Sequence, residues 1–220
     1  TSGAAPIASV SAANLTGLNF PAKNGDQFGV SVASIADMNS DGQRDILIGA
    51  PGFDGVVNGK KAPNIGAAFV ISGASVIAGE SSAVLAQYFG EAKADQFGWS
   101  VADGGLLTAS HHYVFVAAKG VDTTITNPRN RKPQKAKDAG ALYGFDLSGV
   151  NEPFKRVGSA PKGYYGNVLV PAGDVNNDGF TDVVTASSFM SRVSSISNTW
   201  IKSLGFVEVY SGEEIVNQAK

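Results

Sequence analysis

Several common features are missing from this chain of 220 residues. It has no cysteine, which excludes disulfides, thiol catalysis and cysteine-ligated metals. No apolar run approaches the ~20 residues that a membrane-spanning helix needs. Charged residues make up only 16% of the chain, and the formal net charge of −2 gives no general attraction to nucleic acid. We therefore expect neither a nucleic-acid partner nor membrane insertion.

Catalytic motifs are also missing. The chain has no Gly-x-Ser-x-Gly elbow, no phosphate-binding loop and no His-Glu-x-x-His pair. Its two histidines, His111 and His112, are adjacent in a segment that precedes a predicted strand. Strand neighbours point to opposite faces, so the pair is poorly placed to bind one metal, and we interpret both as ordinary loop residues. The sequence predicts a protein that is not an enzyme.

Glycine, by contrast, is abundant. The 27 glycines are about 12% of the chain, against a usual ~7%. Together with the low charge, this composition is typical of a β-rich protein with many tight turns. It argues against a helical bundle, a coiled coil or a disordered tail.

The sequence repeats itself three times. Asp-Gln-Phe-Gly at 26–29 recurs 69 residues later at 95–98, and Tyr-Tyr-Gly at 164–166 is a degenerate third copy. Each copy is followed by a short alternating run, a compact apolar run, a long polar loop and a glycine-led strand that ends in a Ser-Gly turn. The apolar runs lie at 46–51, 114–118 and 183–186, and the glycine-led strands at 66–73, 140–149 and 205–212. A further strand precedes each aromatic–glycine pair, at 15–20, 84–89 and, more weakly, 154–157.

Four short strands per unit, without helical periodicity, predict an all-β fold of propeller blades. We divide the chain into an N-terminal extension (1–14) and three four-stranded antiparallel blades, at about 15–83, 84–152 and 153–220. Within each unit the strands follow along the chain in the blade order fourth, first, second, third. The chain therefore starts with a strand that would complete a neighbouring blade and ends one strand short. Three blades do not close a ring, so we expect further blades from the same chain, an identical chain or another chain.

Two loops carry the ligand pattern of a hard cation. Residues 37–45 and 174–182 both read Asp-x-Asn-x-Asp-Gly-x-x-Asp, and each begins nine residues after its aromatic. Oxygen side chains at positions 1, 3 and 5, a glycine at 6 and a carbonyl at 7 form the front half of a Ca²⁺ loop. The predicted ligands are Asp37, Asn39, Asp41, Gln43, Asp45, Asp174, Asn176, Asp178, Phe180 and Asp182, with Gln43 and Phe180 contributing carbonyls. The alternative is a turn rich in Asp and Asn that binds nothing. The middle unit has a single carboxylate in the corresponding segment, and we predict no metal there.

These motifs resemble the FG-GAP repeat, the blade of integrin α-subunit β-propellers and of many bacterial surface proteins. The first unit keeps Phe-Gly, the acidic loop and Gly-Ala-Pro, whereas the second replaces Gly-Ala-Pro with Ala-Ala-Lys and the third has Tyr-Gly. The resemblance implies calcium binding, an extracellular or cell-surface location, and rings that usually contain seven blades. It also implies that the loops between strands 2 and 3, and between strands 4 and 1, form a ligand-binding face.

We accordingly predict a non-enzymatic, calcium-binding propeller segment with two Ca²⁺ sites that mediates adhesion or recognition. A protein or glycan ligand would bind the face formed by the strand 2–3 loops, and Arg192 and Trp200 are the candidate ligand contacts because Arg and Trp dominate interface hot spots. The basic loop at 119–138 is interpreted as a solvated loop, with a docking surface for an acidic partner as the alternative. Two other functions remain open: a lectin-type propeller, although Trp99 and Trp200 do not coincide in the repeat, and an accessory domain of a secreted hydrolase.

Overall fold

The computed structural model has the all-β architecture that the repeats predict. It describes residues 6, 8–18, 23–106, 111–127, 130–149, 153–187, 189, 192–193, 200–201 and 204–218. These residues form three main sheets with the arrangement of blades, and they do not form a closed ring. Within the described ranges, no helix has both the length and the apolar character needed to cross a membrane.

The first sheet contains the strands that the first repeat predicts. Its elements in chain order are a 3₁₀ turn Ala12–Asn14, β1 Leu15–Thr16, β2 Ser31–Ser34, β3 Ile46–Ala50, β4 Gly55–Val57, β5 Lys60–Ala62, β6 Ala67–Ile71, helix α1 Gly73–Ala78 and β7 Ser82–Phe89. The sheet order is β1-β7-β6-β3-β2, with β4 and β5 forming a separate hairpin. Strands β2, β3, β6 and β7 pair antiparallel and make the four-stranded blade.

The second and third sheets repeat this plan. The elements of the second are β8 Phe97–Leu106, β9 His112–Ala118, β10 Thr123–Thr126, β11 Pro133–Ala136, β12 Ala141–Asp146 and β13 Phe154–Val157, with sheet order β13-β12-β9-β8. Those of the third are β14 Val168–Gly173, β15 Asp182–Ser187, β16 Arg192–Val193, β17 Trp200–Ile201, β18 Phe206–Tyr210 and helix α2 Gly212–Gln218, with sheet order β14-β15-β18. The third sheet thus lacks a fourth strand among the described residues, as the strand order predicts.

The sheets stack through their apolar faces. Leu47 and Val70 of the first sheet pack against Val101 and Val116 of the second in one cluster. A second cluster, which includes Phe115 and Leu169, joins the second sheet to the third. Alternate strand residues face opposite sides, so each sheet can contribute to two clusters at once.

A third cluster covers the remaining face of the first sheet. Ile48 and Phe69 are 3% and 2% exposed there, and the N-terminal residues Val10, Leu15 and Leu18 pack against them. In its described part, residues 15–18, the predicted strand at 15–20 therefore does not complete a neighbouring blade; residues 19–20 lie outside the described residues. Strand β1 pairs in parallel with β7 and extends the first sheet, because burying these apolar side chains holds the N-terminal segment against the blade.

Two other features differ from the sequence prediction. The Ser-Gly turns of the first and third units begin α1 and α2, which have only six and seven residues and so leave no detectable helical periodicity. The long strand 2–3 loops contain hairpins, β4–β5, β10–β11 and β16–β17. The basic segment at 119–138 is thus partly a hairpin, in which Lys135 Nζ lies 2.9 Å from an Asp122 carboxylate oxygen.

Candidate metal centre

The two acidic loops occupy equivalent places in the first and third sheets. Residues 37–45 connect β2 to β3, and residues 174–182 connect β14 to β15. Each loop lies beside the helix that follows the third strand of its own sheet, through contacts with Ser72–Gly73 or Ser211–Gly212. Each acidic loop, which is recognised in the sequence by its local spacing, is therefore hydrogen-bonded to residues about 30 positions away.

The first half of the loop at 37–45 gathers three oxygens around backbone amides. Asp41 N donates to Asp37 Oδ1 at 3.1 Å and to Asn39 Oδ1 at 3.3 Å. Gly42 N donates to Asp37 Oδ2 at 2.8 Å. Because two of these oxygens share one donor, the side chains of Asp37 and Asn39 converge on the inside of the turn.

Asp41 links the loop to helix α1. Its Oδ1 accepts from Gln43 N at 2.9 Å, and its Oδ2 accepts from Ser72 Oγ at 3.1 Å. Ser72 is also the N-cap of α1, accepting from Ser75 N at 3.3 Å. One hydroxyl thus donates to the loop carboxylate and accepts from the helix.

Asp45 joins the same elements from the buried side. Its side chain is fully buried, with Oδ2 accepting from Met38 N at 2.7 Å and Oδ1 from Gly73 N at 3.1 Å. Asp41 and Asp45 therefore both contact the Ser72–Gly73 dipeptide, which brings the second half of the loop together.

The loop at 174–182 repeats each of these loop bonds and adds one, from Asn176 Nδ2 to Asp178 Oδ2 at 2.7 Å. Asp174 accepts from Asp178 N and Gly179 N, Asn176 from Asp178 N, Asp178 from Phe180 N and Ser211 Oγ, and Asp182 from Val175 N and Gly212 N, all at 2.7–3.0 Å. The sharp turn is also shared, since Gly42 and Gly179 have φ of 86° and 87°. Glycine reaches this left-handed region without steric cost.

The fifth position of each loop holds a carboxylate that ionises readily. The amide of Gln43, followed by the side chain of Asn39, lowers the pKa of Asp41. The hydroxyl of Ser211 is the largest cause of the lowered pKa of Asp178, helped by Asn176 and by the amide of Phe180. Hydrogen bonds to the charged form explain both shifts, so both carboxylates are anionic at neutral pH.

The oxygen ligands of the two loops suit a hard cation, although their carboxylates already accept hydrogen bonds from backbone amides. Each bonded carboxylate oxygen except Asp178 Oδ2 accepts one hydrogen bond from the loop or helix and keeps a further lone pair. Asp178 Oδ2 accepts two, from Ser211 Oγ and Asn176 Nδ2, both at 2.7 Å. In the part of the chain that the structure describes, no group of three or more Asp, Glu, His or Cys side chains is arranged to hold a metal ion. The predicted ligands at 37–45 and 174–182, including the carbonyls of Gln43 and Phe180, remain predictions.

The middle sheet has histidine–carboxylate pairs that sequence reasoning missed. His112 Nε2 lies 2.6 Å from Asp103 Oδ1, and Arg44 from the first sheet reaches the other oxygen of Asp103 at 3.3 Å. His111 Nδ1 lies 2.8 Å from Asp146 Oδ2. The two rings contact different carboxylates, as alternation predicts; His112 begins β9, and His111 directly precedes it. Because Asp146 is 35 positions from its partner, no local spacing could have revealed the pair.

The candidate ligand contacts are described only at the main chain. Arg192 pairs with Ile201 and Val193 with Trp200 in the β16–β17 hairpin, and the side chains lie outside the described residues. Trp99, considered for a lectin-type site, is half-buried, with Lys119 Nζ over its ring at 2.8 Å from the centroid. This tryptophan face is therefore already occupied.

A comparison with known protein families agrees with these features. Residues 28–71 match the family model of the FG-GAP repeat. The chain contains an FG-GAP repeat. The match runs from the aromatic residue Phe28, through the acidic loop and β3, to the end of β6. The FG-GAP assignment thus falls on the unit in which the motif is most complete.

Proposed function

We propose that this chain is a non-enzymatic, calcium-binding propeller segment of an extracellular or cell-surface protein, used in adhesion or recognition. One observation carries the proposal: two loops with the same ligand pattern form the same hydrogen-bond network at equivalent places in two sheets. Three carboxylates and an amide follow in the same order in both loops, and a bound cation would offset the repulsion between carboxylates held close together.

Calcium is the cation that this donor set favours. All candidate ligands are oxygens, which suit Ca²⁺, whereas softer metals prefer histidine or cysteine and Mg²⁺ demands a tighter octahedron. The ligands would be Asp37, Asn39, Asp41, the carbonyl of Gln43 and Asp45 in one loop, and Asp174, Asn176, Asp178, the carbonyl of Phe180 and Asp182 in the other. The ion supplies positive charge that offsets the repulsion between these carboxylates.

The proposed role of the ion is to stabilise the blade. Asp41 and Asp45 contact Ser72–Gly73 at the start of α1, so an ion that holds these carboxylates also holds the connection from β6 to β7. The same argument applies to Asp178, Asp182 and α2. The modest affinity typical of extracellular calcium modules fits millimolar calcium outside cells.

The recognition role is proposed for the face formed by the strand 2–3 connections. These connections contain the β4–β5, β10–β11 and β16–β17 hairpins, and the third includes Arg192 and Trp200. A protein or glycan ligand would bind this face, and further blades would complete the array beyond the third sheet.

Thermal unfolding in EDTA and in calcium tests the metal. A ligand that binds only the folded state, at about 100 times its Kd, raises Tm by roughly 5–10 °C per site in a chain of this size. We expect such a rise in the wild type and its near-complete loss in the Asp41→Ala, Asp178→Ala double variant. Asp54→Ala is the matched control, because Asp54 also accepts a backbone amide but lies outside both loops.

Two results of this experiment would contradict the proposed calcium sites. A wild-type Tm that does not respond to millimolar calcium would leave the amide-bonded turn as the correct interpretation. A shift that survives in the double variant would place the ion elsewhere.

A further inference from the structure

The third sheet has an uncovered apolar face, which we call the valine face. It consists of two cross-strand rows, Val168–Ala186–Val207 and Val170–Val184–Val209, that run over β14, β15 and β18 in register. The four valines of the outer strands are 45–65% exposed. A contiguous, exposed apolar surface is uncommon on a free protein and marks an interaction site.

The corresponding positions on the other sheets show what covers such a face. By strand register, Val184, Val207 and Val209 correspond to Leu47, Ala68 and Val70 of the first sheet. Those three residues are at most 1% exposed because the second sheet packs on them, with its first strand β8 against β2 and β3. On the second sheet, Phe115 and Leu142 are fully buried, and β14 takes the position of β8.

The covering strand approaches closely at a small residue. A Cβ added to Gly49 would lie 2.0 Å from the carbonyl oxygen of Gly98, the glycine of the second aromatic–glycine pair. A Cβ added to Gly166, the third such glycine, would lie 2.7 Å from Ala117 Cβ. Ala186 holds the place of Gly49 and Ala117 by register. The valine face therefore has a small residue, Ala186, at the position that the glycine of an aromatic–glycine pair approaches closely.

The chain carries such a strand, uncovered, at its other end. Gly29 has φ of 91°, close to the 85° and 83° of Gly98 and Gly166, but a Cβ there would meet nothing within 4 Å. Val30 and Val32, which flank Ser31 at the start of β2, are 51% and 63% exposed. The N-terminal segment packs on the face that includes Ile48 and leaves these two valines uncovered.

We propose that the valine face binds the β2 strand of a second copy of this chain, head to tail. Gly29 of the second copy would approach Ala186 closely, and Val30 and Val32 would pack against the two valine rows. Strands β8 and β14 pack on their neighbouring sheets in the same way within the chain. The contact is heterologous, so two copies form either an open pair or a closed array of six sheets. The proposal rests on the open blade array of the proposed function but does not depend on calcium.

Sedimentation velocity over about 1–200 µM of the full chain tests the association. In EDTA we expect the mass to rise with concentration from 22.6 kDa to at least twice that value. Val207→Lys and Val32→Glu each place a charge in the contact, and each should weaken association at least about tenfold. Val56→Lys is the matched control, since Val56 is 54% exposed in the β4–β5 hairpin.

Mixing the two variants distinguishes head-to-tail binding from other modes. A Val207→Lys chain retains an intact β2 and a Val32→Glu chain retains an intact valine face, so the mixture should associate at concentrations where neither variant alone does. If the valine faces bound each other, Val32→Glu would associate normally and the mixture would show no recovery, which would overturn the proposal.

A constant mass of 22.6 kDa at every concentration would also overturn it. Circular dichroism of each variant shows that the chain remains folded. The calcium-induced Tm shift, measured on the same variants, tests the metal separately, so that failure of one proposal is not mistaken for failure of the other.

Discussion

Replacing Asp45 by asparagine tests whether the loop network holds the first blade together. The fully buried carboxylate accepts from Met38 N at 2.7 Å and Gly73 N at 3.1 Å, and so ties the loop to the start of α1. Asparagine has nearly the same shape but only one acceptor oxygen, so its NH₂ group must face one of the two amides. The exchange removes a charge-assisted hydrogen bond and leaves a buried amide unsatisfied.

The expected cost follows from these two losses. A hydrogen bond to a charged group contributes about 1.5–3 kcal/mol, and an unsatisfied buried donor costs about 1–3 kcal/mol, so we expect a net loss of about 2–4 kcal/mol after local relaxation. For a chain of this size, that loss lowers Tm by roughly 5–15 °C. The measurement is thermal and urea unfolding in EDTA, which removes any contribution from metal.

Two other variants serve as a parallel test and a control for Asp45→Asn. Asp182→Asn should lose a similar amount, because Asp182 accepts from Val175 N and Gly212 N in the third sheet. Asp54→Asn should change stability by less than about 1 kcal/mol, since exposed Asp54 accepts a single amide. A loss at Asp45 no larger than that at Asp54 would refute the idea that the carboxylate joins loop and helix.

Two further predictions concern Gly49 of the first sheet and the Asp103–His112 pair of the second. Gly49→Ala should destabilise the chain by about 1–3 kcal/mol in urea unfolding, because its Cβ would lie 2.0 Å from the Gly98 carbonyl; an unchanged midpoint would contradict the close approach. Burial raises the pKa of Asp103, but hydrogen bonds from His112 and Gly105 outweigh it and hold the pKa below its ordinary value. This depressed folded-state pKa contributes stability that is present above the unfolded value and is lost as pH falls through the folded value. His112→Gln should make the acid loss due to Asp103 smaller and complete at a higher pH, because the folded-state pKa then lies closer to the unfolded one. Urea midpoints between about pH 6 and 2 measure this, and an acid limb identical to that of the wild type would show that the pair contributes nothing.

Much of the strand plan could be predicted from the sequence. The apolar run at 46–51 and the weak signal at 154–157 correspond to β3 and β13. Alternation and turn residues act over a few neighbours, so they remain visible without the fold. The acidic loops were equally visible, because their side chains and glycines follow one another within nine residues.

Other features of the loops were not visible. Helix α1 has six residues, too few for a periodic pattern, and in the sequence its N-cap Ser72 is indistinguishable from the first residue of a Ser-Gly turn. The bonds from Ser72 and Gly73 to Asp41 and Asp45 span about 30 positions. Strand pairing brings these groups together, and nothing in the local spacing encodes it.

The sequence by itself determined the repeating unit, the all-β class and the two acidic loops, because each is encoded by residues close along the chain. Only the tertiary structure decided that Asp103 and Asp146 pair with the two histidines, and that the N-terminal segment covers the first sheet. It also decided that the valines of the third sheet stay exposed, although Leu47 and Val70 at equivalent positions are buried. Burial depends on which surface packs against a strand, and that neighbour lies far away in the sequence.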